Sequence, residues 1–531
     1  MTESAIATAI QSGKTALGIE LGSTRIKAVL IDETHRPVAS GSFAWENRLE
    51  NGLWTYSLAD AERGLQESYR ALKEDVFARY GVTLAKAGAI GISGMMHGYL
   101  PFDAEGRQLA QFRTWRNTNA AQAAKVLSEK LSFNIPIRWS VSHLYQAILN
   151  AEAHVPQVRQ LTTLGAYIHY RLTGERVIGV GEASGMFPID SRTNDYDRTM
   201  LAAFDELIKP YGFRWKLSDI LPRVLVAGMD AGRLTEAGAR LLDPAGDLAA
   251  GIPMAPPEGD AGTGMVATDS VAKRTGNVSA GTSIFAMLVL EKPLSRMYPE
   301  IDMVTTPAGR PVAMAHCNNC TSDWDAWVRV LRESAELCGA TLSTPELYDR
   351  LYQKSLEGAP DCAGILTYNY LSGEPTTGLS EGRPMVVRRP EATFSLANFL
   401  RANLYSTLAS LRLGMEILYR EGVSFDRLMG HGGLFKTEYV GQKYLADAMG
   451  VPVSVMATAG EGGPHGMAIL AAYLLWKRDG ETLDDYLETR VFANADLSTV
   501  QPDQAGMDGF NAFLRAYVSG LAAEKAAAES I

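Results

Sequence analysis

The feature that most constrains this chain is a motif that occurs twice, far apart. Leu17 to Asp32, LGIELGSTRIKAVLID, is an apolar run, a turn at Gly22-Ser23-Thr24 and a second apolar run. Thr275 to Leu290 repeats the plan around Gly281-Thr282-Ser283, and its second run, Ile284 to Leu290, carries no charge. Apolar runs of strand length on either side of a small-residue turn read as a β-hairpin. A glycine at the tip removes side-chain bulk, so successive backbone N–H groups and two hydroxyls can converge on an anion, and phosphate suits such a tip. An acidic residue precedes each turn: Glu20 in the first copy and, further upstream, Asp260 within PEGDAGTG in the second. A lone AGTS would be no more than a turn in a buried sheet. Two copies at this long period imply two related domains rather than a solenoid, with two hairpins able to clasp one polyphosphate.

A length of 531 residues agrees with two domains of conventional size. We place the boundary at Gly251-Ile-Pro-Met-Ala-Pro-Pro257, giving an N-terminal domain over 1–254 and a C-terminal domain over 255–531. The 46% hydrophobic content suits a globular enzyme, and a net charge of -10 argues against a nucleic-acid partner, which needs clustered Lys and Arg. The opening MTESAIATAIQSGKT lacks the basic start and apolar core of a secretion signal, and no uncharged apolar run reaches membrane-spanning length. The expectation is a cytoplasmic protein with no membrane partner. Cys317, Cys320, Cys338 and Cys362 do not make a disulfide framework. Cys317-Asn-Asn-Cys320 has metal-ligand spacing, but no second pair of ligands follows it, so these thiols read as buried or pocket-lining.

Taken in order, Pro37 to Trp45 reads as the third strand of a meander, Leu58 to Tyr80 as an amphipathic helix, and Ala87 to Ile92 as a short buried strand. That strand ends in Ser93-Gly94-Met95-Met96-His97-Gly98, a glycine-framed loop of the kind that carries binding residues in α/β proteins. Arg113 to Asn119, RTWRNTN, gathers an indole, guanidinium groups and amides suited to a polyhydroxylated ligand, while Asn117 or Asn119 equally suits the cap of a helix over Ala120 to Leu131. Ile148 to Gly174 reads as helical, and Gly179 to Asp190 as a Gly/Ser-rich loop able to close over a substrate. Beyond the second hairpin, Leu396 to Gly422 is a long candidate helix. Arg427 to Gly433 is a strand entering a glycine turn, and Glu461 to Gly466 is a glycine turn before a helix over Met467 to Trp476. Phe513 to Ile531 reads as a helical tail.

This order of motifs resembles the FGGY family of carbohydrate kinases, whose fold is similar to that of actin and hexokinase, and the resemblance covers nearly the whole chain. GIELGSTRIKAVLID resembles the family's first phosphate motif, GMMHG its sugar-contacting loop, EGDAGTG the segment with the catalytic aspartate and SAGTS the second phosphate motif. GHGGLFKTEYVGQKYLADAMGVPV and EGGPHGMAILAA resemble its adenosine-binding signature. The resemblance implies an α/β protein of two actin-like, ribonuclease H-like domains with a catalytic cleft between them. It implies Asp260 as general base and acceptor contact, with Met96, His97, Gly98, Trp115, Arg116 and Asn117 around the sugar. Gly22, Ser23, Thr24, Arg25, Gly281, Thr282 and Ser283 would approach the ATP phosphates, and Gly432, Gly433 and Lys436 would border the nucleotide. Glu20 would meet Mg2+ through water.

The implied reaction is ATP-dependent phosphorylation of a sugar hydroxyl, with xylulose as the leading acceptor and another ketose, a polyol or a sugar acid as alternatives. Phosphoryl transfer to an alcohol needs a base, a metal and a cradle of donors, which these motifs supply. Three positions depart from the family pattern. Glu20 stands where aspartate is usual, Trp115-Arg-Asn-Thr-Asn119 stands where many members have Trp-x-Asp-x-Arg, and Ala261 follows the aspartate where xylulose kinases tend to carry asparagine. The competing class is an actin-like ATPase acting through partners, which has no use for a sugar pocket. A Rossmann dehydrogenase is excluded because no G-x-G-x-x-G joins a first strand to a helix. An apolar face on a late helix would permit a homodimer.

Overall fold

The computed structural model describes residues 2–456 and 462–531. The chain divides into two compact units: Met1–Val271 with Asp302–Val312 and Glu461–Ala495, and Ala272–Ile301 with Ala313–Gly460 and Asp496–Ile531. In the first, Ala16–Leu21, Arg25–Ile31 and Pro37–Ala44 form an antiparallel meander. Ala89–Gly94 lies parallel to the first of these strands, and the two-residue strand Glu258–Gly259 lies parallel to Ala89–Gly94. All but one residue of Ala16–Leu21 are buried, as expected of a strand with helices on both faces. Two glycines in the sheet let helix backbones come into contact with it. A Cβ at Gly18 would meet the Pro464 carbonyl oxygen of helix Gly462–Trp476 at 2.2 Å, and one at Gly41 would meet the Ser68 carbonyl oxygen of helix Leu58–Tyr80 at 2.2 Å. Such close approach is what glycine inside a strand commonly signifies.

The second unit repeats the arrangement. Thr275–Ala280 and Ile284–Val289 form its hairpin, and Arg427–Gly432 lies parallel to Thr275–Ala280 as Ala89–Gly94 does to Ala16–Leu21. Pro311–Cys317 flanks the hairpin on one side; Val453–Met456 and Leu497–Val500 extend the sheet beyond Arg427–Gly432. The long helix Leu396–Arg420, capped by Ser395 accepting from the Asn398 N–H, has most of its residues buried.

Several expectations change in the structure. The first unit continues past residue 254 to Val271, because Glu258–Gly259 completes its sheet and helix Asp260–Ala267 packs on Gly462–Trp476. At that contact a Cβ on Gly466 would lie 1.9 Å from the Thr263 carbonyl oxygen. The expected glycine turn at 461–466 is therefore the first turn of a helix from Gly462 onward, its glycines serving close packing; Glu461 lies outside the described residues. The expected closing loop at 179–190 instead holds a one-turn helix, Val180–Ala183, and residues 177–188 are all buried. Ile148 to Gly174 is not one helix: Ser140–Leu149 ends at Asn150, and the strand Gln160–Thr162 precedes helix Leu164–Thr173. Neither asparagine caps helix Ala121–Leu131: its N-cap is Ala120, Gln146 Oε1 takes the Ala123 N–H at 3.2 Å, and Asn117 bonds to Trp54. Among the described residues, no helix is long and apolar enough to cross a membrane.

Candidate active site

Asp260 opens the helix Asp260–Ala267, with extended Gly259 before it. The parallel pairing of Glu258 with Ser93 and of Gly259 with Gly94 sets this helix start beside the end of strand Ala89–Gly94, where the Met95–Gly98 loop departs. Asp260 Oδ1 accepts the Met96 N–H at 3.2 Å and the Ala261 N–H at 2.9 Å; Oδ2 accepts neither. Burial pushes the carboxyl up to about 6, against the lowering effect of those N–H donors. It is thus ionised at neutral pH and more basic than an exposed aspartate, a useful setting for a general base.

Glu20, next to last in strand Ala16–Leu21, pairs in register with Ser93. Its carboxylate lies against Gly463, where a Cβ would fall 1.5 Å from Oε2. Burial, and then the neighbouring Asp260 charge, push it up to about 8, with Lys27 pulling the other way. Two further acids, Glu182 and Glu258, escaped the sequence reading. Glu258 Oε2 accepts the Glu182 N–H at 2.9 Å and Oε1 the Gly181 N–H at 3.3 Å, while burial pushes the carboxyl up to about 8. Glu182 packs against Gly259, where a Cβ would meet its Oε2 at 2.3 Å, and burial drives it well above the usual carboxylate range. Glu258 was within reach as the first letter of EGDAGTG. Nothing local marked Glu182.

His97 has a left-handed backbone, φ 72°, and is buried. Its Nδ1 faces the Gly185 carbonyl oxygen at 3.2 Å and its Nε2 faces Arg138 Nε at 3.2 Å. Met96 is also buried, and Gly98, φ 103°, has no room for a Cβ beside the Phe112 ring. The RTWRNTN residues separate. Trp115 Nε1–H donates to Ser23 Oγ at 3.3 Å, placing the indole at the first hairpin tip. The Arg116 guanidinium sits 3.9 Å above the Trp54 ring. Asn117 exchanges hydrogen bonds with the Trp54 N–H and carbonyl at 2.9 and 2.8 Å, so its amide holds strand Leu53–Thr55. The first tip is roofed by aromatics: Trp45 Nε1–H donates to the Gly22 carbonyl at 2.7 Å, and the Tyr56 hydroxyl to the Ser23 carbonyl at 2.5 Å. Thr24 and Arg25 are exposed.

In the second unit the hairpin tip is bare. Nothing lies within 4 Å of where a Gly281 Cβ would be. The Gly281 N–H bonds to the Ser283 carbonyl at 2.9 Å, closing the turn, and behind it the Gly281 and Thr282 carbonyls accept the N–H groups of Thr321 and Cys320, each at 3.1 Å. Gly432, in register with Ala280, has φ 100° and would place a Cβ 2.4 Å from the Ala280 carbonyl oxygen, so only glycine fits. Gly433 begins the 3₁₀ turn Gly433–Phe435, and exposed Lys436 follows. Sheet pairing thus sets Gly432 and Gly433 beside the Gly281 to Ser283 tip. Cys317 and Cys320 are buried free thiols.

The chain is 23% identical over 492 residues to the xylulose kinase of Haemophilus influenzae, covering 89% of this chain and 92% of the relative. Its fold matches the crystal structure of a ligand-bound xylulose kinase from Lactobacillus acidophilus with a TM-score of 0.79 at 16% identity, over 97% of this chain and 99% of that one. A gluconate kinase from Lactobacillus acidophilus matches almost equally, with a TM-score of 0.78 at 16% identity over 97% and 98%. The fold therefore does not select the acceptor. The N-terminal domain of the FGGY family of carbohydrate kinases matches residues 15–266 and its C-terminal domain residues 276–475, so with the duplicated hairpin in each unit and the Asp260 helix start, this chain belongs to that family.

Proposed function

We propose that this carbohydrate kinase transfers the terminal phosphoryl group of ATP to a hydroxyl of a neutral ketose of the xylulose class, with Asp260 as general base. The observation that carries the proposal is the bond from the Met96 N–H to Asp260 Oδ1, which ties the base to the loop expected to contact the sugar. With Oδ1 fixed by two backbone donors, Oδ2 is the oxygen that takes the acceptor's proton. The bare Gly281 tip with Gly432 and Gly433 beside it suits close approach of phosphates to backbone. Gly22 to Arg25 at the first tip, and Lys436 after the Gly433–Phe435 turn, complete the proposed phosphate and nucleotide contacts.

A magnesium ion fits the acidic side of this site. Glu20 and Asp260 raise one another's cost of ionisation, and a divalent cation would supply the opposing charge. Among the described residues no group of three or more ligating side chains is present. This suits an ion held mainly by nucleotide phosphates and water, with Glu20 as a contact through water. When bound, the ion neutralises charge on the transferring phosphate.

Support from relatives comes from the named activity of the Haemophilus influenzae protein, which is a xylulose kinase. The test is ADP release from Mg-ATP, without acceptor and then with ketopentoses, ketohexoses, polyols and sugar acids, with Asp260→Asn as control. Strong stimulation by xylulose, lost in the variant, is the expected result. Stimulation by a different compound alone would move the acceptor assignment. Acceptor-independent hydrolysis throughout would favour an ATPase.

A further inference from the structure

Resting on the kinase reading, we propose that Arg138 is an acceptor-specificity residue. Asp302 and His97 hold it so that its remaining nitrogen, Nη1, donates to an oxygen of an uncharged polyhydroxylated acceptor. The sequence reading gave Arg138 and Asp302 no role. Three links fix the arrangement, all in the first unit. The His97 ring is locked first: Nδ1–H donates to the Gly185 carbonyl, and a Cβ on Gly185 would come 2.5 Å from Nδ1, so the ring seats directly on that glycine. Trp139 stacks on its face, with centroids 6.5 Å apart and planes 21° from parallel. A ring with its proton on Nδ1 presents a lone pair at Nε2, and there Arg138 donates its Nε–H at 3.2 Å. Burial and the Arg138 charge push the His97 pKa down to about 3, so the ring stays a neutral acceptor across any working pH.

The second link is the ion pair of Arg138 Nη2 with the Asp302 carboxylate, whose other oxygen accepts the Asn134 amide at 3.0 Å. The third is the loop itself: His97 follows Met96, whose N–H holds Asp260. Both ring nitrogens of His97 are thus engaged, with Arg138 as one of the partners. Among the described residues, Nη1 of Arg138 has no hydrogen-bond partner, and the side chain retains 25% exposure. Nη1 is the unused donor of this chain of contacts.

Charge then selects the ligand class. The guanidinium is matched by Asp302, so the pair offers directed N–H donors with little net charge. That suits a hydroxyl or ketone oxygen and gives a carboxylate little net attraction. The left-handed backbone at His97 costs free energy, and such strain gathers where surroundings enforce a functional geometry.

The test compares wild type with Arg138→Met and Asp302→Asn, using xylulose and gluconate as acceptors. It reads acceptor KM, kcat, ATP KM and melting temperature. Loss of a charged donor at a sugar oxygen should raise xylulose KM by ~10-fold or more in Arg138→Met, with ATP KM unchanged within about 2-fold. Asp302→Asn, which leaves the guanidinium uncompensated, should shift the kcat/KM ratio toward gluconate. An unchanged xylulose KM in Arg138→Met overturns the proposal, as does an unchanged acceptor ratio in Asp302→Asn. If Arg138→Met does not fold, the Asp302→Asn ratio decides alone. Failure of the kinase reading looks different: neither acceptor stimulates even the wild type, and Asp260→Asn hydrolyses ATP as wild type does. A wild type that prefers gluconate overturns this proposal and leaves the kinase standing.

Discussion

The two hairpins of this chain share a plan and differ at their tips. In the first, Leu21 pairs with Ile26; in the second, Ala280 pairs with Ile284, so the first tip is one residue longer. Carbonyls at the first tip accept from Trp45 and Tyr56, and its serine hydroxyl accepts from Trp115. The second is backed by Thr321 and Cys320, through their N–H groups and the Thr321 hydroxyl, and among the described residues carries no aromatic roof in front. The acids also part from the symmetry that the sequence suggests. The residue in register before the second tip is Ser279, whereas Asp260 lies in the first unit beside Glu20. On the proposed roles the duplicated scaffold is divided: the acids and the Met95–Gly98 loop lie in one copy and the bare Gly281 tip in the other.

The sharpest way to break this division is at Asp260. Asp260→Asn should lower kcat by ~10²–10⁴-fold, the range for a lost general base, while ATP binding by titration calorimetry stays within a few-fold. The wild-type kcat/KM should rise with pH through about 6 as Asp260 deprotonates, and the variant should lose that limb. Lost ATP affinity with turnover intact would place the base elsewhere.

The second hairpin gives the next largest effect. Because Gly281 faces open space, Gly281→Val should fold with an unchanged melting temperature yet weaken ATP binding by ~10-fold or more through blocked approach. Unchanged affinity would remove that tip from the phosphate site. Gly432→Val, with its Cβ against Ala280, should instead lose stability.

Glu20→Gln tests the charge side of the comparison. The folded pKa of Glu20 is raised to about 8, so between the ordinary carboxylate range and pH 8 the folded protein holds a proton that the unfolded chain has released. Stability from this group is complete below about 4.5 and is lost as pH rises through 8. In metal-free buffer Glu20→Gln should flatten the decline of the urea midpoint between pH 5 and pH 8. Glu258 and Asp260 keep part of that slope, since both are also raised. The same variant should need several-fold more Mg2+ for half-maximal activity, given that each carboxylate contact is one of very few. A slope identical to wild type would mean that Glu20 is ionised without metal.

Much of the fold was legible because its signals are local. Leu58–Tyr80 begins and ends where its apolar spacing places it, and both hairpins follow from apolar runs about a glycine turn. The failures are tertiary. Gly462, Gly463 and Gly466 look like a turn until Glu20 and Thr263 are packed against them, when they become the face of a helix. The stretch 179–190 looks like a surface loop until Glu258 takes the N–H groups of Gly181 and Glu182. Asp260 could be singled out from its small-residue setting, whereas Arg138, Asp302 and Glu182 matter only through partners remote in sequence.

The smallest expected effect lies at the roof of the first tip. Trp115 is 42% exposed and makes one hydrogen bond to that tip, to Ser23 Oγ. The RTWRNTN stretch reads as a sugar contact, yet this bond ties the indole to the hairpin proposed to meet phosphate. Trp115→Phe keeps an aromatic ring while removing the donor and part of the indole's contact area; the neutral hydrogen bond alone is worth ~1 kcal/mol, or about 5-fold in an equilibrium. If the indole orders the tip, ATP KM should rise by that factor and xylulose KM should stay fixed. If the indole instead faces the sugar, the two constants should change places. Because the two outcomes move different substrates, this modest variant decides whether the aromatic roof belongs to the phosphate side or the acceptor side of the first unit.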